Sequence, residues 1–403
     1  MPQQSFAALR HPGYRAYFIG SALAMMADSI EHVISYWIIF QKFHSPALGG
    51  FAVLSHWLPF LFFSMYSGAL ADRFDPRRII QLGMLLFMAA SLGWGLLFLT
   101  GSLEMWHAAA LLVLHGFAGV LWAPAAQLLI HDIVGEKHLH SAIRLIATGR
   151  YLGLLLGPAI GGLILLAMGP ARGILFNMLI YLPLILWLWK APYGGRRKPA
   201  PASRGFAELL PMIRAAAQSR VIVSMTLLAG GASLLVGNAY QAQMPEFARD
   251  LGHGDADFTY SMLLAADAAG ALVAGLVLES RGLLPPHPRT AFLLAMLWCL
   301  AIGSFAAATS YPLALALLFI AGFFELSFNA MAQTLVQVHA PSEVRGRIIG
   351  LFAMASLGLR AFSGVTVGLG GSLIGIHWSL AASAAALLVL TMTLFSLTLR
   401  SAR

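Results

Sequence analysis

Three ionisable side chains stand close together in an apolar stretch near the N-terminus. Asp28 is followed by Glu31 and His32, a spacing of three and four residues that places all three on one helical face. At membrane depth a charged group costs about 2.5 to 3.5 kcal/mol on insertion scales, so it persists only where it is paired or faces water. Because carboxylates and imidazoles take up and release protons, the cluster predicts a proton-binding wall of a cavity. A purely structural ion cluster is the alternative.

Four further charged side chains interrupt other apolar stretches. Asp267 and Glu325 are isolated acids, while Arg150 and Arg360 occupy related positions in the two halves of the chain. Opposite charges of this kind pair across a cavity or join helices as structural contacts. The sequence therefore predicts a set of proton-binding and substrate-binding residues, namely Asp28, Glu31, His32, Arg150, Asp267, Glu325 and Arg360.

Catalysis and metal binding have no recognisable pattern in the sequence. His131, His138 and His140 are close together, but their spacing matches no standard metal-ligand motif. Cys299 is the only cysteine, which excludes an intramolecular disulfide and a thiolate metal site. No Walker loop or catalytic triad spacing occurs. We expect a protein that is not an enzyme and has no cofactor and no metal site; a membrane-embedded enzyme or receptor is the least favoured alternative.

The composition shows which elements must position these residues. The chain is 59% hydrophobic and only 10% charged, with a mean hydropathy of +0.79, too little polar surface for a soluble domain. Its apolar stretches are mostly as long as the roughly 20 residues that cross a bilayer as a helix. The predicted fold is an all-α membrane protein with twelve transmembrane helices, at residues 16–40, 48–70, 79–99, 106–130, 141–167, 173–189, 221–244, 258–278, 291–309, 312–336, 348–374 and 378–398.

The basic residues predict how these helices are oriented. The net charge is +9, and of the lysines and arginines outside the spans only Lys42, Arg172 and Arg249 fall in one set of alternate loops. Because basic loops resist translocation, the other set, both termini and the linker are predicted to be cytoplasmic. The arginines are dispersed over short loops rather than gathered on one face, so we expect no nucleic-acid partner.

The two halves of the chain are related. Trp-Ala-Pro-Ala-Ala-Gln at 122–127 ends the fourth span, and Phe-Asn-Ala-Met-Ala-Gln at 328–333 ends the tenth. A glycine-lined span follows each motif, at 149–162 and 364–375. Duplication of a six-helix unit explains both observations. We predict an N-terminal bundle at 1–190, a basic cytoplasmic linker at 191–220 and a C-terminal bundle at 221–403.

The loop after the second span carries a recognisable signature. It reads Gly-Ala-Leu-Ala-Asp-Arg-Phe-Asp-Pro-Arg-Arg at 68–78, and it resembles the loop between helices two and three of the major facilitator superfamily. Asp75 and Pro76 depart from that signature. The resemblance implies that the loop latches one conformation of the protein. The residues that would do so are Gly68, Asp72, Arg73 and Arg77.

The fifth span carries a second signature of the same superfamily. Glycines at 149, 153, 157 and 161 recur every four residues and line one helical stripe, where backbones can touch. The element Gly157, Pro158, Gly161 and Gly162 looks like the signature of exporters and antiporters, in which it forms a bendable packed seam. A plain helix-packing groove is the alternative. Together with Pro124, the element most resembles the siderophore and macrolide exporter branch.

The resemblance covers the whole chain and implies a function. The implied fold is the major facilitator fold, with two pseudo-symmetric six-helix bundles that work by alternating access. We expect a secondary active transporter of the bacterial inner membrane that exports a small amphipathic molecule, such as a drug, siderophore or metabolite, in exchange for protons. The alternative is an importer or carrier of lysolipid, organic anion or metal ion on the same fold. The expected partners are the small-molecule substrate, protons and the lipid bilayer, and we expect a monomer.

Overall fold

A computed structural model describes most of the chain, and nearly all of the described part is helical. The described residues are 6–43, 46–193, 213–214, 216–237, 239–252, 256–281, 283–363, 366–367 and 370–400. Within these ranges there is no β-strand. Most of the predicted linker, residues 194–212, lies outside them, so its structure stays a prediction.

Six helices make up the first half. The first three are α1 (Pro12–Phe43), α2 (Pro46–Arg73) and α3 (Pro76–Leu99). One long element, Met105–Asn177, then continues through a 3-10 turn, Met178–Tyr181, into Leu182–Lys190. Gly135 and Gly169 have φ of +66° and +72°, which favour glycine, and they break this run into three helices. These are α4 (105–134), α5 (136–168) and α6 (170–190).

The second half repeats the pattern with two interrupted helices. Its elements are α7 (Arg220–Leu235) followed by the short helices Ala239–Ala242 and Met244–Asp250, α8 (Ala256–Ser280), α9 (Pro288–Ala306), α10 (Tyr311–His339), α11 (Arg345–Ser356, continuing through the 3-10 turn Gly358–Phe362 and the short helix Gly370–Ile374) and α12 (Ile376–Arg400). The seventh span was predicted as continuous over 221–244. It ends instead near Gly237, whose φ is +50°.

Several helices meet the requirements for crossing a membrane by length and composition. Among the described residues, seven helical stretches meet these requirements, and two of them contain the breaks at Gly135 and Gly169. The stretches are Pro76–Leu99, Met105–Gly153, Ile160–Lys190, Met262–Ser280, Pro288–Ala306, Tyr311–His339 and Ile376–Thr398. Large apolar side chains such as Leu166, Leu373 and Trp378 are exposed on the outer surface. In lipid such a surface needs no partner protein.

The buried core is divided largely between the two halves. One cluster of buried apolar residues extends from Ala216 to Leu394 and belongs wholly to the second half. A cluster centred on Ile30 and Trp94 belongs wholly to the first, and another, around Tyr14 and Phe87, takes only Ala330 and Ile349 from the second half. Most of the buried apolar packing thus lies within each half. The bundle boundaries at 190 and 221 stay a prediction.

The glycine stripe of α5 packs directly against α1. A Cβ atom on Gly149 would lie 3.0 Å from the Phe18 ring, and one on Gly161 would lie 3.4 Å from the Cα atom of Ile30. Between them, a Cβ on Gly157 would collide with the side chain of Ser29. The stripe therefore lets the backbones of α1 and α5 approach closely, which brings α1 and its acidic residues against the centre of the first half.

Candidate functional site

A central cavity of about 280 Å³ lies between the two halves. Charged residues from both sides reach it: Asp28 and Arg150 from the first half, and Glu325 and Arg360 from the second. Its size is close to the lower end of typical small-molecule sites, about 300 to 1,000 Å³. Four of the seven predicted binding residues thus line one cavity, whereas Glu31, His32 and Asp267 are not part of its lining.

His115 of α4 joins the two acids of α1. Its Nδ1 atom lies 2.8 Å from Oε1 of Glu31, and its Nε2 atom lies 2.9 Å from Oδ1 of Asp28. Ser91 of α3 donates a hydrogen bond to the other Glu31 oxygen. Only 2% of the Glu31 side chain is exposed against 17% for Asp28, so Asp28 alone faces the cavity while Glu31 is held among α1, α3 and α4.

Two more histidines complete this N-terminal cluster. His32 lies next to Asp28, with Nδ1 2.7 Å from the Asp28 backbone oxygen and 3.9 Å from Oδ2. His56 of α2 packs edge-on against His32, with ring centroids 4.9 Å apart, and lies 5.6 Å from the His115 ring. We call Asp28, Glu31, His32, His56 and His115 the N-terminal cluster. It has three groups that can bind protons besides its two carboxylates.

A close helix contact brings His56 and His115 together. Gly116 faces Ser55 of α2, and a Cβ atom at position 116 would collide with the Ser55 carbonyl oxygen. The absence of a side chain lets the backbones of α2 and α4 touch at this level. The next residue of α2 and the preceding residue of α4 are the two histidines. Sequence analysis missed both as site residues.

Asp267 of α8 is held by the interrupted seventh span. Its Oδ2 atom accepts hydrogen bonds from the Tyr240 hydroxyl at 3.0 Å and from Gln241 Nε2 at 3.2 Å. Both donors follow the break at Gly237, where the chain leaves the regular helix. Irregular backbone at membrane depth is tolerated where it lines a cavity or is buried in protein, and Gln241 does line the cavity. Asp267 itself is 2% exposed.

Glu325 of α10 lines the same cavity as the arginines of both halves, Arg150 and Arg360. Arg360 and Arg150 are the cations that act on its carboxylate, and its Oε2 atom is buried without a hydrogen-bond partner in the described structure. Arg360 also stacks over the Trp57 ring of α2, 5.4 Å from the centroid. No ion pair of Glu325 with Arg150 or Arg360 is found among the described residues, so the predicted pairing across the cavity stays a prediction, and Asp267 is bound by neutral side chains. We call Tyr240, Gln241, Asp267, Glu325 and Arg360 the C-terminal cluster.

The remaining cavity wall is mostly aromatic and apolar. Most of the large rings that line it come from the first half, namely Tyr17, Trp57, Phe60, Phe87, Trp122 and Tyr151. The second half contributes Phe352. Gln127, Asn329 and Gln333 add neutral polar groups. Arg150 is exposed, and no ion pair or hydrogen bond of its guanidinium group is found in the described structure. The wall therefore suits an aromatic molecule, with Arg150 available for a negative group.

The two halves are joined at one end of the bundle, which we call the basic end because it carries the loop 68–78 with its arginines. Asp72, the last acid of α2, accepts hydrogen bonds from the backbone N–H groups of Gly346 at 2.6 Å and Arg347 at 2.9 Å. These are orphan donors of the first turn of α11, and a carboxylate is favoured at such a helix start. Gly68 and Gly346 permit the approach, because a Cβ on Gly68 would collide with the Gly346 carbonyl.

A second acid makes a similar contact between the other pair of helices. Glu279, near the end of α8, is 3% exposed, accepts a hydrogen bond from Ser141 and lies 3.8 Å from Arg144, both of α5. Asp72 and Glu279 occupy equivalent positions in the two halves, so each half latches onto the other. The acidic contact is made although loop 279–282, Glu-Ser-Arg-Gly, keeps little of the pattern of loop 68–78.

Three further contacts close the basic end below the cavity. Gln337 of α10 donates to Gln127 of α4 at 3.0 Å, and His140 lies 3.2 Å from the Thr334 hydroxyl. Arg345, at the start of α11, lies 3.6 Å from Glu136. The structure is therefore closed at this end.

The other predicted latch residues have local roles. Arg73 is exposed and lies over the Phe74 ring at 5.3 Å rather than on Asp72. Arg77 binds Asp75, with Nη2 2.6 Å from Oδ2, and donates to the Ala191 backbone oxygen. Pro158 lies within α5, and a Cβ on Gly162 would have no neighbour within 4 Å, so Gly162 lies outside the packed stripe.

The family comparison matches nearly the whole chain. The model of a family described as transmembrane secretion effector matches residues 3–403. The enterobactin exporter EntS of Shigella boydii serotype 4 (strain Sb227) is 25% identical over 390 residues, which cover 94% of this chain and 90% of that protein. The resemblance to siderophore exporters of the major facilitator superfamily is thus confirmed.

Solved structures share the fold at low sequence identity. The human organic anion transporter MFSD10 superposes with a TM-score of 0.75 at 16% identity, covering 94% of this chain and 98% of that one. A variant of the fucose:proton symporter FucP of E. coli superposes with a TM-score of 0.72 at 11% identity, covering 95% and 99%. The predicted fold, twelve helices in two six-helix bundles, is therefore confirmed.

Proposed function

The chain belongs to the transmembrane secretion effector family of the major facilitator superfamily, and we propose that it exports an aromatic organic anion in exchange for protons. It is a multi-pass membrane transporter of small molecules. The cargo, the direction of transport and the coupling ion are proposals beyond this family membership. They rest on one observation: ionisable clusters from both halves meet one cavity that is closed at the basic end.

The clusters provide places for a proton on each side of the cavity. In the first half, Asp28 faces the cavity and is connected through His115 to Glu31. In the second half, Glu325 has an unpaired buried oxygen next to the arginines. A carboxylate that is alternately exposed to the two sides of a membrane can carry a proton when the protein changes conformation. We infer that both clusters take part in coupling cargo movement to a proton gradient.

The cavity wall supports the cargo class. Aromatic rings bind flat apolar groups, and Arg150 and Arg360 attract negative charge. The name of one relative, an enterobactin exporter, supports export of a siderophore. A cavity of about 280 Å³ is small for a large cargo. A siderophore-sized molecule would therefore require the basic end to open before it enters.

The charge distribution supports an orientation in the membrane, and the contacts between the halves support a direction of transport. Loops at the basic end hold most of the lysines and arginines, so this end is the cytoplasmic one and both termini are cytoplasmic. The bacterial relatives support a place in the inner membrane. In this orientation the structure is closed to the cytoplasm. Opening of the contacts made by Asp72 and Glu279 would admit cargo from the cytoplasm, and their closure would release it on the other side.

Transport in inside-out membrane vesicles tests the proposal. The interior of an inside-out vesicle corresponds to the outside of the cell, so an acidic interior reproduces the inward proton gradient of the cell, and uptake into the vesicle equals export. We expect accumulation of an aromatic siderophore-like anion that stops when a protonophore removes the gradient. Cationic drugs and lysolipids serve as comparison compounds, and vesicles with equal amounts of the D28N/E325Q variant serve as the control. Preferred accumulation of a cation, or uptake that ignores the gradient, would contradict the proposal.

A further inference from the structure

The N-terminal cluster contains more nitrogen donors than proton transfer requires. One ring nitrogen from each of His32, His56 and His115 lies within 4.8 Å of the others. The three residues come from α1, α2 and α4, so their convergence is a property of the packed bundle and not of a local sequence motif. Asp28 adds a carboxylate oxygen 2.9 Å from the His115 Nε2 atom. We propose that these four residues bind a divalent transition-metal ion, at a site that faces the transport cavity.

The outer hydrogen bonds of the histidines are those of metal ligands. A metal-binding histidine usually donates its second ring N–H to a carboxylate or a backbone carbonyl, which fixes the ring and leaves the other nitrogen for the metal. His115 Nδ1 lies 2.8 Å from the Glu31 carboxylate, and Glu31 in turn accepts from Ser91. His32 Nδ1 lies 2.7 Å from the Asp28 carbonyl oxygen. In both rings Nε2 is the nitrogen that remains.

The remaining nitrogens lack hydrogen bonds. His115 Nε2 and His56 Nδ1 are buried and have no hydrogen-bond partner in the described structure. The Nε2 atom lies 2.9 Å from Oδ1 of Asp28, so these two candidate ligands are adjacent. A buried nitrogen without a partner is costly, and a metal ion would satisfy both. His115 as a whole is 5% exposed, so bulk water does not replace the missing partner.

The donor set and spacing indicate which metal fits. Three imidazoles and one carboxylate are typical of Zn²⁺ and other late first-row divalent ions, and they do not suit Mg²⁺ or Ca²⁺, which prefer oxygen ligands. Zinc–nitrogen bonds of about 2.0 to 2.1 Å separate tetrahedral ligands by roughly 3.4 Å, so the histidine rings must approach by about 1 Å. His56 and Asp28 line the cavity, which provides the path of entry.

Equilibrium binding of Zn²⁺ to the purified full-length protein tests the site. The protein is purified without a histidine tag, and Zn²⁺ binding is measured by calorimetry while Co²⁺ binding is followed by its visible absorption. We expect one tight site per chain and the intense absorption of four-coordinate Co²⁺. Three separate variants, H32Q, H56Q and H115Q, should each weaken binding at least about 10-fold, and E31Q, which removes only the outer carboxylate, about 10- to 100-fold.

The matched control is His339→Gln. His339 is exposed at the basic end, and its Nδ1 atom lies 2.8 Å from a backbone oxygen of its own helix, so its loss should leave the tight site unchanged. Size-exclusion elution and thermal midpoint identify which variants are folded, and any one folded ligand variant decides the question. No tight site in the wild type, or an affinity unchanged in a folded ligand variant, would overturn the proposal. Because binding is measured without transport, this result is independent of the proposed export.

Discussion

The Nδ1 atom of His115 lies 2.8 Å from the Oε1 atom of Glu31, and this contact links α4 to α1 in the interior of the first half. Neither side chain is exposed by more than 7%. The same imidazole reaches Asp28, which faces the cavity. His115 is therefore the connection between the cavity surface and a carboxylate that the cavity does not reach directly.

Replacement of His115 by leucine should separate its structural role from its role in transport. Breaking a buried ion pair by removing one partner costs about 3 to 5 kcal/mol, because the other charge is left uncompensated. We expect H115L to lower the thermal midpoint of the purified protein. The double variant E31Q/H115L should recover most of the midpoint and still fail in gradient-driven transport. Recovery of transport together with stability would show that the pair is only a structural contact.

Replacement of Asp72 by alanine should open the basic end. The variant loses two hydrogen bonds from backbone N–H groups to a carboxylate, and hydrogen bonds to charged groups contribute about 1.5 to 3 kcal/mol each. We expect the ratio of open to closed molecules to rise at least about 10-fold. Cys299 is the only cysteine, so spin labels can be placed on R78C and S342C in a C299S background and their distance measured. An unchanged distance distribution would contradict a latch at Asp72.

Loss of Glu279 should weaken the second latch independently of the first. Asp72 joins α2 to α11, whereas Glu279 joins α8 to α5, so the two contacts share no partner. We expect E279A to shift the label distance in the same direction as D72A, and the free-energy effects of D72A/E279A to add. The control is E246A, because Glu246 pairs only with Arg249 of its own short helix in the described structure. No effect of E279A would mean that only Asp72 controls closure.

The sequence predicted the position of the acids better than it predicted their partners. Asp28, His56 and His115 each lie about 12 to 15 residues from the cytoplasmic ends of their predicted spans, which places them at a common depth. This depth was the signal that could have identified the two missed histidines. Their contact itself depends on Gly116 and Ser55, and a single glycine in an apolar helix does not reveal which neighbouring helix it faces.

The interrupted helices show a second limit of the sequence. An apolar run predicts a span but not its regularity, and the break at Gly237 lies just before Tyr240 and Gln241, which donate hydrogen bonds to Asp267. The latch of Glu279 was missed for a related reason. Loop 279–282 has Arg281 but no counterpart of the pair Arg77 and Arg78, yet the single acid at the end of α8 makes the contact with Ser141.

Replacement of Arg150 should reduce the affinity for an anionic cargo. The side chain is exposed in the cavity wall, so the change should leave the fold intact. Loss of one charge-assisted contact predicts about 10-fold weaker binding for R150Q and a smaller loss for R150K, which keeps the charge without the planar guanidinium. Ligand binding to purified protein measures both, with R249Q as the control at an exposed surface arginine. Equal affinities for R150Q and R249Q would exclude Arg150 as the anion contact.

Two transport modes measured on the same reconstituted protein test the central claim most directly, namely that cavity carboxylates couple cargo to protons. Counterflow exchanges labelled for unlabelled cargo and needs no gradient, whereas net accumulation requires proton exchange. We predict that D28N and E325Q retain counterflow and lose accumulation driven by a pH gradient, together with the cargo-dependent proton flux. Accumulation and proton flux equal to those of the wild type in both variants would contradict the account.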